Sequence, residues 1–254
     1  MLRLLTYNVH GCRGTDGRLS PERIAAVIAD ARPDVVALQE LDDGRARSGG
    51  LDQAHTIALE LGMRFHFHPA FNVEEERYGD AVLSARPMRL VKAGPLPGLP
   101  NRPLLEPRGA LWVSVDLGGG AELQVFNTHL GLMGRERLVQ VEALLGREWL
   151  GHPDCRGRPA VLLGDFNVVP GSRAYRRLVA AGRLRDAQRG SAPPGRRPRP
   201  TFPARWPVLR LDHAFLGEGV EAVNAEVRSG AVERTASDHL PLVVDVEVRT
   251  PSAL

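Results

Sequence analysis

The chain has 254 residues, 43% hydrophobic and 25% charged, with a formal net charge of +3, the profile of an ordinary folded protein. Two cysteines, Cys12 and Cys155, exclude a disulfide framework and a zinc cluster; no window approaches the ~20 apolar residues of a membrane span, and so slight a positive charge does not by itself imply nucleic acid. The basic excess is arginine, with Lys92 the only lysine, and biased codon usage accounts for most of it, although arginine also grips phosphate bidentately.

In chain order, Leu2 to Val9 reads as a strand. Ser20-Pro21 opens a helix, because serine caps free amides and proline fits the first helical position; Ile24, Val27 and Ile28 give it an apolar stripe that ends before Pro33. Val35 to Leu38 is apolar on both faces, as a buried strand is. Leu51 to Leu61 is a helix closed by Gly62, and Met63 to His68 and Ala81 to Ser84 are strands. The proline-rich stretch from Gly94 to Pro107 is an irregular loop. Ala110 to Leu117 and Glu122 to Phe126, joined by three glycines, form a hairpin. Arg135 to Leu150 is the longest helix signal. Ala160 to Leu163 is a buried strand, Ser172 to Ala180 a helix, and Gly190 to Pro207 a loop dense in proline and arginine. Leu209 to Leu216, Val220 to Val227 and Leu240 to Val248 are strands. Strand-helix-strand units alternating with hairpins predict two stacked mixed sheets with helices outside.

Five polar clusters sit at the tips of these apolar runs. They are Thr6-Tyr7-Asn8-Val9-His10, Leu38-Gln39-Glu40, Asn127-Thr128-His129, Gly164-Asp165-Phe166-Asn167 and Ser237-Asp238-His239. Burying such groups costs free energy unless something satisfies them, so their recurrence predicts one shared, metal-bearing site. The clusters span nearly the whole chain, and one domain, residues 1–254, is expected.

Taken singly, several of these residues have plainer readings. Glu40 alone reads as a surface carboxylate on a turn, and His129 as a satisfied strand-end histidine. Asn8 and His10, two apart, are expected on one strand face. Asp165 and Asn167 point the same way with Phe166 packed inward, and a carboxylate beside a carboxamide can orient a water and take its proton. Asp238 and His239 are adjacent and so face opposite sides of an extended chain. His239 then needs another carboxylate to fix its tautomer; Asp212, on the preceding core strand, is the candidate, with His213 no more than a neighbour.

Together the clusters resemble the endonuclease/exonuclease/phosphatase superfamily, collinearly over about 230 residues. The matched pieces are Asn8, Gln39-Glu40, Asn127-Thr128-His129, Gly164 to Asn167, Leu211-Asp212 and Ser237-Asp238-His239, with Tyr78 to Ser84, Arg108-Gly109 and Thr201-Phe202 also similar. The resemblance implies an α+β fold, a four-layer αββα sandwich of two mixed sheets. It implies Mg²⁺ or Mn²⁺ held chiefly by Glu40 with Asn8 and Asp238 assisting, Asp165 activating water, and Asn167 orienting phosphate. It further implies His239 stabilising the reacting phosphorus or acting as base, held by Asp212, with His129 donating to a phosphoryl oxygen. Arg108, Thr201 and Asp80 are expected on the substrate. Asp80 stands where many relatives carry asparagine, and His129 where the abasic-site enzymes carry tyrosine, which argues against that branch.

The expected activity is metal-dependent phosphoester hydrolysis, with a phosphodiester as substrate. The alternatives are a DNA or RNA nuclease of the same fold and a non-catalytic phosphate-binding scaffold. The loop bearing Arg196, Arg197, Arg199, Arg205 and Trp206 reads equally as a clamp on polyphosphate, nucleic acid or a phospholipid head group and as a solvated surface loop. With no leader pattern, a soluble, reduced, cytoplasmic protein is expected, with no stable membrane insertion and no protein partner.

Overall fold

A computed structural model describes residues 1–180, 184–191 and 197–249, the side chain of Val73 excepted. In chain order the strands are β1 (Leu2–Asn8), β2 (Val35–Asp43), β3 (Arg64–Val73), β4 (Glu76–Ser84), β5 (Met88–Pro95), β6 (Gly109–Gly118), β7 (Ala121–His129), β8 (Ala160–Asp165), β9 (Arg185–Asp186), β10 (Asp212–Leu216), β11 (Val220–Val227) and β12 (Leu242–Val248). The helices are α1 (Pro21–Ala31), α2 (Gln53–Leu61), α3 (Gly134–Leu145), α4 (Arg173–Val179), and the short α5 (Ala187–Gly190) and α6 (Glu233–Ala236).

Two six-stranded mixed sheets result, ordered β11-β12-β1-β2-β4-β3 and β5-β6-β7-β8-β10-β9. Three apolar layers hold them. Leu4, Val35, Val113, Val125, Leu163 and Val244 belong to the layer between the sheets. Leu5, Val36, Ile24, Ile28 and Ile57 pack the first sheet against α1 and α2. Trp112, Phe126, Leu162, Leu144 and Leu178 pack the second against α3 and α4. Alternate residues of one strand thus enter different layers, and the αββα sandwich expected from the sequence is the fold.

Local chemistry sets the element ends. Ser20 caps α1 by accepting from the Arg23 amide at 3.2 Å. Asp52 caps α2 by accepting from the His55 amide at 2.9 Å, so that helix begins at Gln53 rather than Leu51. α3 stops at Leu145, short of the expected Leu150, because Gly146 breaks the helix and the following turn tucks Trp149 into the core. The expected loop from Gly94 takes in the last two residues of β5, a largely exposed edge strand without the alternating burial that would have marked it. β10 starts at Asp212 rather than Leu209, since Leu209 pairs back on Phe202.

Two departures from regular pairing position the site. β2 does not end at Leu38. Its pairing with β4 runs Leu38↔Ala81 and then Leu41↔Gly79, leaving Gln39 and Glu40 in a bulge where Glu40 takes a left-handed φ of 62°. A bulge re-aims a side chain without ending the sheet. Gly164 brings β7 and β8 into close approach: a Cβ there would collide with the Thr128 carbonyl, so the glycine serves packing.

Candidate active site

Asn8, His129 and Asp165 end β1, β7 and β8, and Asp212 begins β10, which runs antiparallel to β8. Register places His129 opposite Asp165 and Asp165 opposite Asp212, so three site residues stand side by side on neighbouring strands. His239 lies just before β12, the antiparallel neighbour of β1.

Asp165 is the hub. Its Oδ2 accepts from Asn8 Nδ2 at 3.0 Å and lies 3.4 Å from His129 Nε2 and 3.7 Å from His239 Nε2. Its Oδ1 accepts from the Asn167 backbone at 2.9 Å. The Asn8 carboxamide also donates to Glu40 Oε1 at 2.8 Å, bridging the two carboxylates. Burial, and each carboxylate's effect on its neighbours, push Glu40 and Asp165 above their ordinary pKa.

His239 Nδ1 and Asp212 Oδ2 are 2.8 Å apart, the pair anticipated from sequence. Burial disfavours the charged ring, but Asp212 and then Asp165 outweigh it and push its pKa up to about 10. His129 has the opposite character. Arg108 Nη1 stands 2.8 Å from its Nδ1. A guanidinium only donates, so Nδ1 accepts and the neutral ring carries its proton on Nε2. Burial and the Arg108 charge lower this histidine's pKa well below the usual value. The Asn167 carboxamide nitrogen, which donates to Leu130 O at 2.9 Å, lies 3.1 Å from that same Nε2. Two donors therefore converge beside Asp165, as an anion hole requires.

The structure corrects several placements. His10 does not share a face with Asn8: β1 ends at Asn8, and His10, with φ 50°, turns outward to lie 3.8 Å from Asp238. Thr201 is fully buried and cannot touch substrate; its Oγ accepts from the Leu211 and Asp212 amides at 3.3 Å and so fixes Asp212. Asp80, expected on the substrate, is buried behind the Glu40 bulge. Burial pushes its pKa up to about 8, opposed by Arg108 and by the Glu40 backbone amide. Gln39 faces away from the site, donating to Asn127 Oδ1 at 2.8 Å across the two sheets. Asp238 sits at the rim, its charge felt at Glu40 and His239. In the arginine loop, Arg196 lies outside the described residues. Arg199 bonds Ser229, Arg205 bonds Thr15, and neither lines the cleft.

That cleft, about 550 Å³, is lined by Glu40, His129, Asp165, Asn167 and His239, with His10, Arg13, Arg47, Glu106, Arg108, Leu132 and Phe202 around them. A larger hollow of about 900 Å³, lined in part by Cys155, Ala160 and Gly217, contains none of the expected site residues. Sequence reasoning missed Arg13, Arg47 and Glu106; the one available signal was an arginine close to a matched motif.

For a cation, donor atoms of Asp165, Asp212 and His239 lie within 4.8 Å of one another, and the Glu40 carboxylate stands beside them. Buried carboxylate oxygens are the ligands a hard divalent ion prefers, and the raised pKa values of Glu40 and Asp165 are what a bound cation would relieve.

Two mixed six-stranded sheets, with carboxylates, carboxamides and imidazoles gathered at one end, define the DNase I-like class. The chain belongs to the endonuclease/exonuclease/phosphatase family, whose model matches residues 5–239. It is 28% identical to the uncharacterized protein YbhP of Escherichia coli K12, over 97% of this chain and 96% of that one. A solved endonuclease/exonuclease/phosphatase from Beutenbergia cavernae is 29% identical, with a TM-score of 0.77 over 99% of this chain and 73% of that one. A mannosyl-6-phosphatase of Bacteroides thetaiotaomicron shares the fold at 21% identity and TM-score 0.75, covering 97% of this chain and 100% of its own. Family members are hydrolases acting on phosphoesters. Among the described residues no helix is long and apolar enough to cross a membrane.

Proposed function

We propose that this chain, residues 1–254 acting as one domain, is a phosphodiesterase dependent on Mg²⁺ or Mn²⁺. The convergence on Asp165 of Asn8, His129 and His239, each from a different strand end, carries that reading. Glu40, with Asn8 and the charge of Asp238 nearby, would hold the ion, although the amide as oriented here gives its nitrogen to Glu40. Asp165, Asp212 and His239 fit an ion less well, because the ring nitrogen facing Asp212 is engaged at 2.8 Å and a protonated imidazole cannot ligate. When bound, the cation supplies positive charge to the phosphate and its leaving oxygen.

The residues divide the remaining work. Asp165, ionised and held by Asn8 and the Asn167 amide, orients a water and accepts its proton. His129 and Asn167 donate to the non-bridging phosphoryl oxygens. His239, protonated and braced by Asp212, donates toward the charge that develops at phosphorus. Arg108 acts by fixing the His129 tautomer, and Asp80 by holding the Glu40 bulge. Two free cysteines suit a reducing compartment, and we place the protein in the cytoplasm.

The test is hydrolysis of bis-p-nitrophenyl phosphate with Mg²⁺ or Mn²⁺. We expect turnover that chelation abolishes and that Glu40→Ala, Asp165→Ala and His239→Ala each lower by at least about a hundredfold, with unchanged circular dichroism. Near-normal turnover in any of the three would contradict the assignment. Plasmid nicking at a higher rate would favour the nuclease. Metal binding without turnover would favour the scaffold.

A further inference from the structure

One wall of the cleft carries positive charge for which the chemistry above has no use. Arg47 stands on a short turn, Ala46–Ser48, after β2. Its Nε and Nη2 grip Asp42 at 2.8 and 2.6 Å, and its guanidinium lies 5.3 Å over the Tyr78 ring. Arg13 reaches it from the segment after β1, bonding Arg47 O at 3.1 Å and Gly17 O at 2.9 Å. Buried Gln53 ties the two segments together, accepting from the Asp42 amide at 2.9 Å and donating to Gly11 O at 2.7 Å. Both arginines line the same cleft as Glu40 and Asp165.

The acids there answer two of three guanidiniums: Asp42 grips Arg47 at 2.6 Å, and Arg45, 3.6 Å from Asp42, pairs with Glu76 at 3.4 Å. Arg13 has no acidic partner among the described residues; its hydrogen bonds go to carbonyls. The Asp42 grip occupies one edge of Arg47, and its side chain is half exposed. Two like charges held together by a buried brace raise the local potential, and the group that relieves it is an anion. A phosphate fits best, because guanidinium forks match its geometry.

We propose that Arg13 and Arg47 form a second anion subsite, so that the substrate carries another phosphate beside the one that is cleaved. This rests on the phosphoesterase reading, which assigns the scissile phosphate to His129, Asn167 and His239. The second phosphate comes either from a small bisphosphate or from the next link of a nucleic-acid strand.

The experiment compares inhibitors of bis-p-nitrophenyl phosphate hydrolysis at saturating Mg²⁺. Butyl phosphate is set against α,ω-alkanediol bisphosphates of two to six carbons and against the dinucleotide pTpT. At its best spacing a two-phosphate ligand should inhibit at least about tenfold more tightly than butyl phosphate, equivalent to about 1.4 kcal/mol. That ratio should fall toward one in Arg13→Met and in Arg47→Met. Arg13→Met breaks no ion pair and carries the test alone if loss of the Asp42 partner unfolds the other variant. An alkanediol or pTpT as the tighter ligand assigns the source. A ratio near one at every spacing, or one that survives both substitutions, overturns the proposal. If the diester is not hydrolysed at all, the phosphoesterase reading fails separately, and calorimetric titration of the same ligands into metal-loaded protein still reads the subsite.

Discussion

His239 and His129 show how neighbours decide the chemistry of one residue type. Both are buried, and burial alone would strip the proton from either. His239 keeps its proton because carboxylates surround it, while at His129 burial is unopposed and the Arg108 guanidinium adds to it. Asp212→Asn should therefore lower kcat/KM by about 10²–10⁴. In the proposed role His239 donates while charged, so activity should be present below its pKa and lost as pH rises through it; that alkaline limb is expected near 10 in the parent and should move toward the ordinary 6.5 in the variant. Rate–pH profiles of the two proteins decide it, and an unchanged limb would remove Asp212 from the mechanism. The Asp212–His239 pair was legible because a strand-end histidine needs a carboxylate to fix its tautomer and Asp212 stands in a matched motif at the tip of an apolar run. Arg108 against His129 was not, since only folding brings them together.

At the scale of elements, most strands and the four longer helices could be read from apolar runs and caps. The bulge in β2 could not, because it exists only against its partner: two residues of one strand oppose one of the other. Thr201 was misread for a related reason, a motif position alone not distinguishing a group that touches substrate from one that fixes a neighbour. β10 and the segment after β8 are joined by His213, whose Nε2 lies 2.9 Å from Val168 O and 3.2 Å from Arg210 O. Burial, then Arg210, lowers its pKa to about 4. A depressed histidine leaves the unfolded chain binding more protons below 6.5, so stability is whole above that pH and falls as pH drops toward 4, by about 3 kcal/mol. Chemical denaturation across that window should show the slope in the parent and a flatter one in His213→Gln. Equal slopes would mean the histidine does not stay neutral.

Across the whole molecule, the two sheets meet through apolar side chains, through the site contacts Asn8–Asp165 and His239–Asp212, and through a polar latch away from the site. Gln39 donates to Asn127 Oδ1, and Asn127 donates to Leu38 O and Ala81 O, both at 2.8 Å. Gln39→Leu strands a buried acceptor and should cost about 1–3 kcal/mol in urea unfolding with the m-value unchanged; a loss under about 0.5 kcal/mol would leave the apolar layer as the whole joint away from the site. The left-handed φ of 62° at Glu40 has a consequence of another kind. That conformation suits glycine and strains glutamate, and the side chain must also keep a carboxylate out of water. Glu40→Gly should accordingly melt several degrees higher than the parent in metal-free buffer while hydrolysing nothing. The protein would be sturdier without the group that does its work, and selection for heat resistance alone would erase the enzyme first at this position.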